Sequence, residues 1–352
     1  MPIDPVPLHW SLVIATYQRQ QILQRCLRLA AGHTRPPRQI IIVDASPDWQ
    51  RSRDAVLSTL AAEHAEIAWI YVPAERRSAA AQRNQGIRLA DAEIIFLIDD
   101  DSLMYPDCAA QIMRVYEADA GGAVAGVSPV HVPLPPDRPQ AAAGDAAERG
   151  TTKRHGRLMR FVRRLLAADD IFVPYDEDFP RHALPPALAQ LPVTLRPLMV
   201  GSGMTLRREV CLREPFEEIL GYYAYGEDSD AGYRASRGGA LVTALSARVC
   251  HIGAGGGRLD RFVVAALGAL NPLVLHRLYS TDLNRSRRRL RRMMARRMLI
   301  LLGKDLSQGR FALPNVRGML YAWRRMDEVF ARSPEELRVW YPQVQKDLVD
   351  QS

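Results

Sequence analysis

Between residues 9 and 98 the chain alternates two apolar patterns. "SLVIAT", "QIIIVDAS", "IAWIYVP" and "EIIFLID" are short runs that stay apolar throughout, whereas "QQILQRCLRLAAG", "DAVLSTLAAEH" and "SAAAQRNQGIRLA" repeat apolar positions three and four residues apart. The first kind predicts strands buried on both faces, and the second predicts helices that cover them. The expected class is therefore α/β, with a mostly parallel central sheet flanked by helices. Ligands of such sheets bind beyond the carboxyl ends of the strands, a rule that sets Thr16, Asp44 and the trio Asp99, Asp100 and Asp101 along one edge.

Further along, the pattern loosens. Residues 131 to 156 are rich in Pro, Ala and charge and predict a mobile loop, followed by a short basic amphipathic helix, "RLMRFVRRLLAADD". "LMVGSGMTLRREV" reads as a strand, a glycine turn and another strand. A helix is expected to start near Glu227, and "ALVTALSARVCHIGAGGGR" predicts a last strand ending in a glycine-rich loop. From about residue 260 the chain reads as helical and basic. We expect one domain over 1–258, with 131–200 including a mobile inserted segment, and a helical basic region over 259–352.

Charge and cysteine content narrow the setting. The net charge of +8 on 352 residues is uneven, because residues 285–297 alone hold eight arginines. The four cysteines Cys26, Cys108, Cys211 and Cys250 lie far apart without a C-x-x-C pair, which excludes a zinc-ribbon or disulfide framework and favours a reducing, cytoplasmic setting. No basic segment followed by an apolar one opens the chain, so no secretory leader is expected. "FVVAALGALNPLVLH" is too short to span a bilayer and is interrupted by Asn271-Pro272.

The chemistry concentrates at "EIIFLIDDDSLMYP". Three adjacent carboxylates at the edge of a core repel one another and lose hydration unless a cation or hydrogen-bond donors compensate. A solvated loop or a helix cap is the plain reading, and a divalent-cation site is the functional one, since such ions take oxygen ligands and substrate phosphates. Glu227-Asp228, in "YGEDSDAGYR", either caps a helix or supplies a general base for a hydroxyl nucleophile. His251, ending a strand before the glycines, could complete a metal shell or be structural.

The order of "SLVIATYQR", "IIIVDAS", "AAQRNQGIRLADAEIIFLIDDDSLMYPD", "GSGMTLRREV" and "YGEDSDAGYRASRGGALVTALSARVCH" resembles the family-2 glycosyltransferases, which have the GT-A fold, over roughly residues 9 to 255. The resemblance implies a nucleotide-sugar donor, a divalent cation (Mg2+ or Mn2+) and inversion at the anomeric carbon. It implies that Thr16, Arg19, Asp44, Arg83, Asn84, Asp99 and Asp100 face the nucleotide sugar, with Asp44 accepting from a pyrimidine and so favouring a UDP- or dTDP-sugar. Asp101 and His251 are then the metal ligands and Asp228 the catalytic base. Gly201, Ser202, Gly203, Met204 and Glu227 line the acceptor and sugar side. The family's Q-x-x-R-W motif is absent after "GED", which disfavours a processive synthase and points to single transfer onto a lipid-linked or polysaccharide acceptor.

The arginine-rich stretch fits either a solvated helix face or an amphipathic helix on anionic lipid, which would make the protein peripheral on the inner face of the cytoplasmic membrane. No aromatic platform accompanies it, so nucleic acid is not the expected partner. A nucleotidyltransferase and a non-catalytic nucleotide-sugar or membrane-binding module are the rival functions. The first lacks its glycine-rich, lysine-bearing loop at "ATYQRQQ".

Overall fold

The computed structural model describes residues 7–138, 173–176, 178–254 and 259–350. The predicted loop's residues 139–156 and the "RLMRFVRRLLAADD" helix lie outside these. Two compact units are present. One is formed by residues 7–138, 179–218 and 227–254, and the other by 173–176, 178, 219–226 and 259–350.

The first unit is built on one sheet of nine described strands. They are β1 (Trp10–Thr16), β2 (Gln39–Asp44), β3 (Ala68–Pro73), β4 (Ile94–Leu97), β5 (Ser102–Met104), β6 (Val124–His131), β7 (Val193–Leu195), β8 (Met204–Arg207) and β9 (Ala240–His251). Their order is β3-β2-β1-β4-β8-β6-β9-β5, with β7 pairing β9. The expectation of parallel pairing holds for β3, β2, β1 and β4. Beyond β4 the sheet is mixed: β8 runs antiparallel to β4 and β6, β6 and β9 are parallel, and β5 and β7 are antiparallel to β9. β2 and β4 are buried along their whole length, as their unbroken apolar runs require.

Local chemistry sets the elements near the functional edge. Ser78 caps the helix Ala79–Leu89, its hydroxyl accepting the Ala81 N–H at 3.3 Å. Gly86 lets that helix lie close on β1, since a Cβ there would collide with Val13. "GSGMTLRREV" departs from expectation. Gly201–Gly203 form a 3-10 turn, only Met204–Arg207 is a strand, and Arg208–Arg213 is helical, because Arg207 ends the pairing opposite Ile94 and the next side chains are free to wind.

The second unit is helical. Arg261–Tyr279, Leu283–Ser307, Pro314–Ala331 and Pro334–Asp350 follow one another, the first two capped by Asp260 and Asp282. Arg261–Tyr279 is long and apolar enough to cross a membrane, yet Val263, Ala266, Leu270, Leu273 and Val274 are buried in the bundle. Gly318 permits its close crossing with Pro314–Ala331, as a Cβ would strike the Phe262 carbonyl. Buried Asn271 accepts from Tyr341 and donates to the Tyr225 carbonyl at 2.8 Å, which binds segment 219–226 to this unit.

Candidate active site

The carboxyl ends of β1, β2 and β4 bring Thr16, Asp44 and the Asp99–Asp101 turn to one edge, as the sheet rule predicts. The three aspartates go three ways. Asp100 turns back onto the sheet, Oδ2 accepting the Thr16 hydroxyl at 2.7 Å and Oδ1 the Arg19 Nη1–H at 2.9 Å. Burial pushes its carboxyl up to about 6, against the opposing pull of Arg19 and Thr16.

Asp101 faces the end of β9. Its Oδ2 accepts the Ala254 N–H at 2.7 Å, and its Oδ1 lies 3.2 Å from His251 Nδ1. Pairing of β5 with β9 sets Ser102 opposite His251, which brings the histidine to the trio. Burial acts to raise the Asp101 pKa, but His251, the Ala254 N–H and Arg19 outweigh it and the net shift is downward. The bond to Asp101 in turn raises His251.

Asp99 goes the third way, accepting from Arg83 Nη2 at 2.8 Å. Buried Arg83 also donates through Nη1 to Glu227 Oε1, 144 positions along the chain. Burial works against this guanidinium's charge, and the carboxylates of Glu227, Asp99 and Asp228 outweigh it, so its pKa rises. On Glu227 burial dominates and pushes the carboxyl up to about 8, with Arg83 opposing. Asp228 follows in the first turn of the helix Glu227–Ser236, where Oδ2 accepts the Gly201 N–H at 2.9 Å and Oδ1 the Ser229 N–H at 2.7 Å. A Cβ on Gly201 would lie 3.1 Å from Arg83 Nη2 and 3.4 Å from Asp228 Cβ, so Arg83, the glycine turn and Asp228 converge. The D-x-D and "GED" motifs thus share one edge.

Other sequence-predicted residues are engaged differently. Asp44 is buried, its oxygens accepting Tyr71 OH at 2.6 Å and the Ser46 N–H at 2.7 Å. The Asn84 amide holds the 216–218 loop, exchanging hydrogen bonds with the Phe216 backbone at 2.9 Å each and donating to Glu218. Gly203 and Ser202 pack under His131, whose Nε2 lies 2.8 Å from Ser202 Oγ, while Met204 begins β8 opposite Leu97. His131 was not singled out in the sequence. Its signal is a histidine at the carboxyl end of the apolar run "VAGVSPVH", the same position His251 holds on β9.

Asp99, Asp101 and His251 can each offer one ligand atom, all within 4.8 Å of one another. Asp101 Oδ1, which is buried, and His251 Nδ1 face each other at 3.2 Å, so both are drawn to one point beside Asp99. Two carboxylates and an imidazole suit a divalent ion.

Known proteins resemble the chain in sequence and in fold. Residues 11–164 match the sequence model of Glycosyl transferase family 2. The structure of GalNAc-T7 with UDP, GalNAc and Mn2+ superimposes with a TM-score of 0.53 at 13% identity, over 80% of this chain and 50% of that one, so the chain spans about half the length of this relative. The mannosyltransferase PcManGT of Pyrobaculum calidifontis with GDP-Man and Mn2+ gives 0.48 at 16% identity over 93% and 90% of the two chains. S. aureus TarS 1–349 gives 0.44 at 13% identity over 97% and 88%. No curated protein sequence matches the chain. The chain has the GT-A fold, and its residues 11–164 are similar to the family-2 glycosyltransferases.

Proposed function

We propose that the protein is a metal-dependent, inverting glycosyltransferase that moves a sugar from a nucleoside-diphosphate sugar to a hydroxyl of a lipid-linked or polysaccharide acceptor. The observation that carries this is the Arg83 bridge, which joins Asp99 of the metal-ligand cluster to Glu227, next to Asp228. Asp99, Asp101 and His251 would hold Mg2+ or Mn2+, whose chemistry there is to neutralise a leaving diphosphate.

The chain's own residues carry the remaining work. Asp228 takes the proton from the acceptor hydroxyl as that oxygen attacks the anomeric carbon. Its bonds to the Gly201 and Ser229 N–H groups fix its orientation for this role. Arg83 gives a fixed positive charge between the two acidic motifs, and Glu227 holds its second nitrogen. Thr16 and Arg19 pin Asp100, so the turn that carries Asp99 and Asp101 is rigid before substrate arrives. Asp44, already oriented by Tyr71 and Ser46, keeps lone pairs for the N–H of a uracil or thymine ring. Gly201 to Met204 flank the acceptor.

A panel of nucleotide sugars incubated with Mn2+ or Mg2+ tests this reading. At least one UDP- or dTDP-sugar is expected to be hydrolysed slowly without acceptor and to raise the melting temperature only when metal is present. Stabilisation without turnover on any acceptor would favour the non-catalytic binding module. Release of inorganic diphosphate from a nucleoside triphosphate would favour the nucleotidyltransferase.

A further inference from the structure

The helix Leu283–Ser307 has two faces with different tasks. Ser286, Leu290 and Met294 are buried at i, i+4 and i+8, a seam toward the rest of its bundle. Arg287 and Arg291, on the flank of this seam, donate to Asp327 of the helix Pro314–Ala331. The opposite face carries Arg285, Arg288, Arg292 and Arg296, all exposed. At 100° per residue the same stripe continues through Leu299, Leu302 and Leu306, which are 60%, 36% and 48% exposed. Phe311, in the turn after the helix, is 80% exposed. The helix's one acidic residue, Asp305, is buried and accepts the Asn315 N–H at 3.0 Å, so the helix itself carries no carboxylate on this stripe.

We infer that this outer face is a docking surface for an anionic lipid bilayer. Arginines alone would suit any polyanion. The exposed leucines on the same stripe, with exposed Phe311 in the turn that follows, separate the choices, because a phosphate backbone offers them nothing, whereas the boundary between headgroups and acyl chains buries them. The basic half of the helix meets the headgroups, and the apolar half with Phe311 enters the interface. The inference rests on and narrows the reading of a lipid-linked acceptor, since a bilayer-bound enzyme meets such an acceptor in two dimensions.

Co-sedimentation of the full chain with vesicles tests it independently of catalysis. The protein is expected to pellet with vesicles of equimolar phosphatidylcholine and phosphatidylglycerol and to stay in solution with phosphatidylcholine alone. Leu299→Glu combined with Leu306→Glu is expected to weaken binding about tenfold or more. Arg288→Glu with Arg292→Glu should weaken it to a similar degree, about tenfold, and flatten its salt dependence. Metal-dependent donor hydrolysis and the melting temperature, unchanged in all four substitutions, show that the variants are folded. Absence of wild-type binding to the anionic vesicles would overturn the inference. So would leucine variants that bind like wild type, or displacement of the vesicles by a DNA oligonucleotide at matched charge. Vesicle binding without hydrolysis of any donor would refute the catalytic reading and leave the docking surface standing.

Discussion

Two charged clusters sit at opposite ends of the β4–β8 pair, and they are built on opposite principles. At the Ile94–Arg207 end, Asp119 accepts from the Ala123 and Val124 N–H groups at 3.1 and 2.8 Å and from Arg207 Nη2 at 2.9 Å. Arg207 in turn donates to the Val124 carbonyl and lies 5.3 Å from the Tyr116 ring centre. One acid meets one base and both are satisfied. At the Leu97–Met204 end, five carboxylates, Asp99, Asp100, Asp101, Glu227 and Asp228, share Arg19 and Arg83, and Asp101 Oδ1 faces His251 Nδ1 at 3.2 Å. A closed cluster of the first kind holds the fold. A cluster in which carboxylates outnumber the cations is arranged for a partner that the chain does not supply.

Asp228→Asn is expected to lower kcat for sugar transfer by about 10³-fold while donor KM stays near the wild-type value, because the amide keeps the shape but cannot take a proton. Near-normal turnover in steady-state kinetics would remove Asp228 as the base. At the other end the effect should appear in stability. Arg207→Ala leaves Asp119 buried without its cation and is expected to cost about 3 kcal/mol in urea denaturation, with kcat unchanged. A loss of activity at wild-type stability would erase the distinction between the clusters.

A third buried group sharpens the contrast, since it has no charged partner within hydrogen-bond reach. His33 accepts the Ala109 N–H through Nδ1 at 3.4 Å, and its Nε2 has no hydrogen bond. Burial pushes its pKa down to about 4, with Asp107 pulling weakly the other way. Between that value and the ordinary one of about 6.5, the unfolded chain binds a proton that the folded chain excludes. Stability should therefore fall as pH drops through this window, by about 2 kcal/mol at pH 5. His33→Gln should remove that slope, measured as the difference between variant and wild type in unfolding midpoints at about pH 5 and about pH 8. Equal slopes would mean His33 is solvated.

How much of this was legible in the sequence depended on range. The unbroken runs "QIIIVD" and "IIFL" encode β2 and β4 locally, and the end-of-strand rule then set Thr16, Asp44 and the aspartate trio on one edge without any long-range information. The antiparallel half was not legible, because β4 meets β8 and β5 meets β9 across more than a hundred residues and the pairing leaves no local mark. The same limit hid the division within the trio. Nothing in "DDD" says that Asp100 turns to Thr16, Asp101 to His251 and Asp99 to Arg83. Arg83 and Asn84 are neighbours with different fates, one at the functional edge and the other holding the 216–218 loop, since successive helical residues point about 100° apart.

On the proposed function, the surplus carboxylates at the β4 end are completed by a divalent cation together with a nucleoside diphosphate. Titration of Mn2+ into the protein with UDP, followed by electron paramagnetic resonance, tests it most directly. Wild type should bind one ion, with UDP strengthening the binding, and Asp101→Asn should weaken it by at least about tenfold. Equal Mn2+ binding in wild type and Asp101→Asn, or binding that UDP leaves unchanged, would contradict the account.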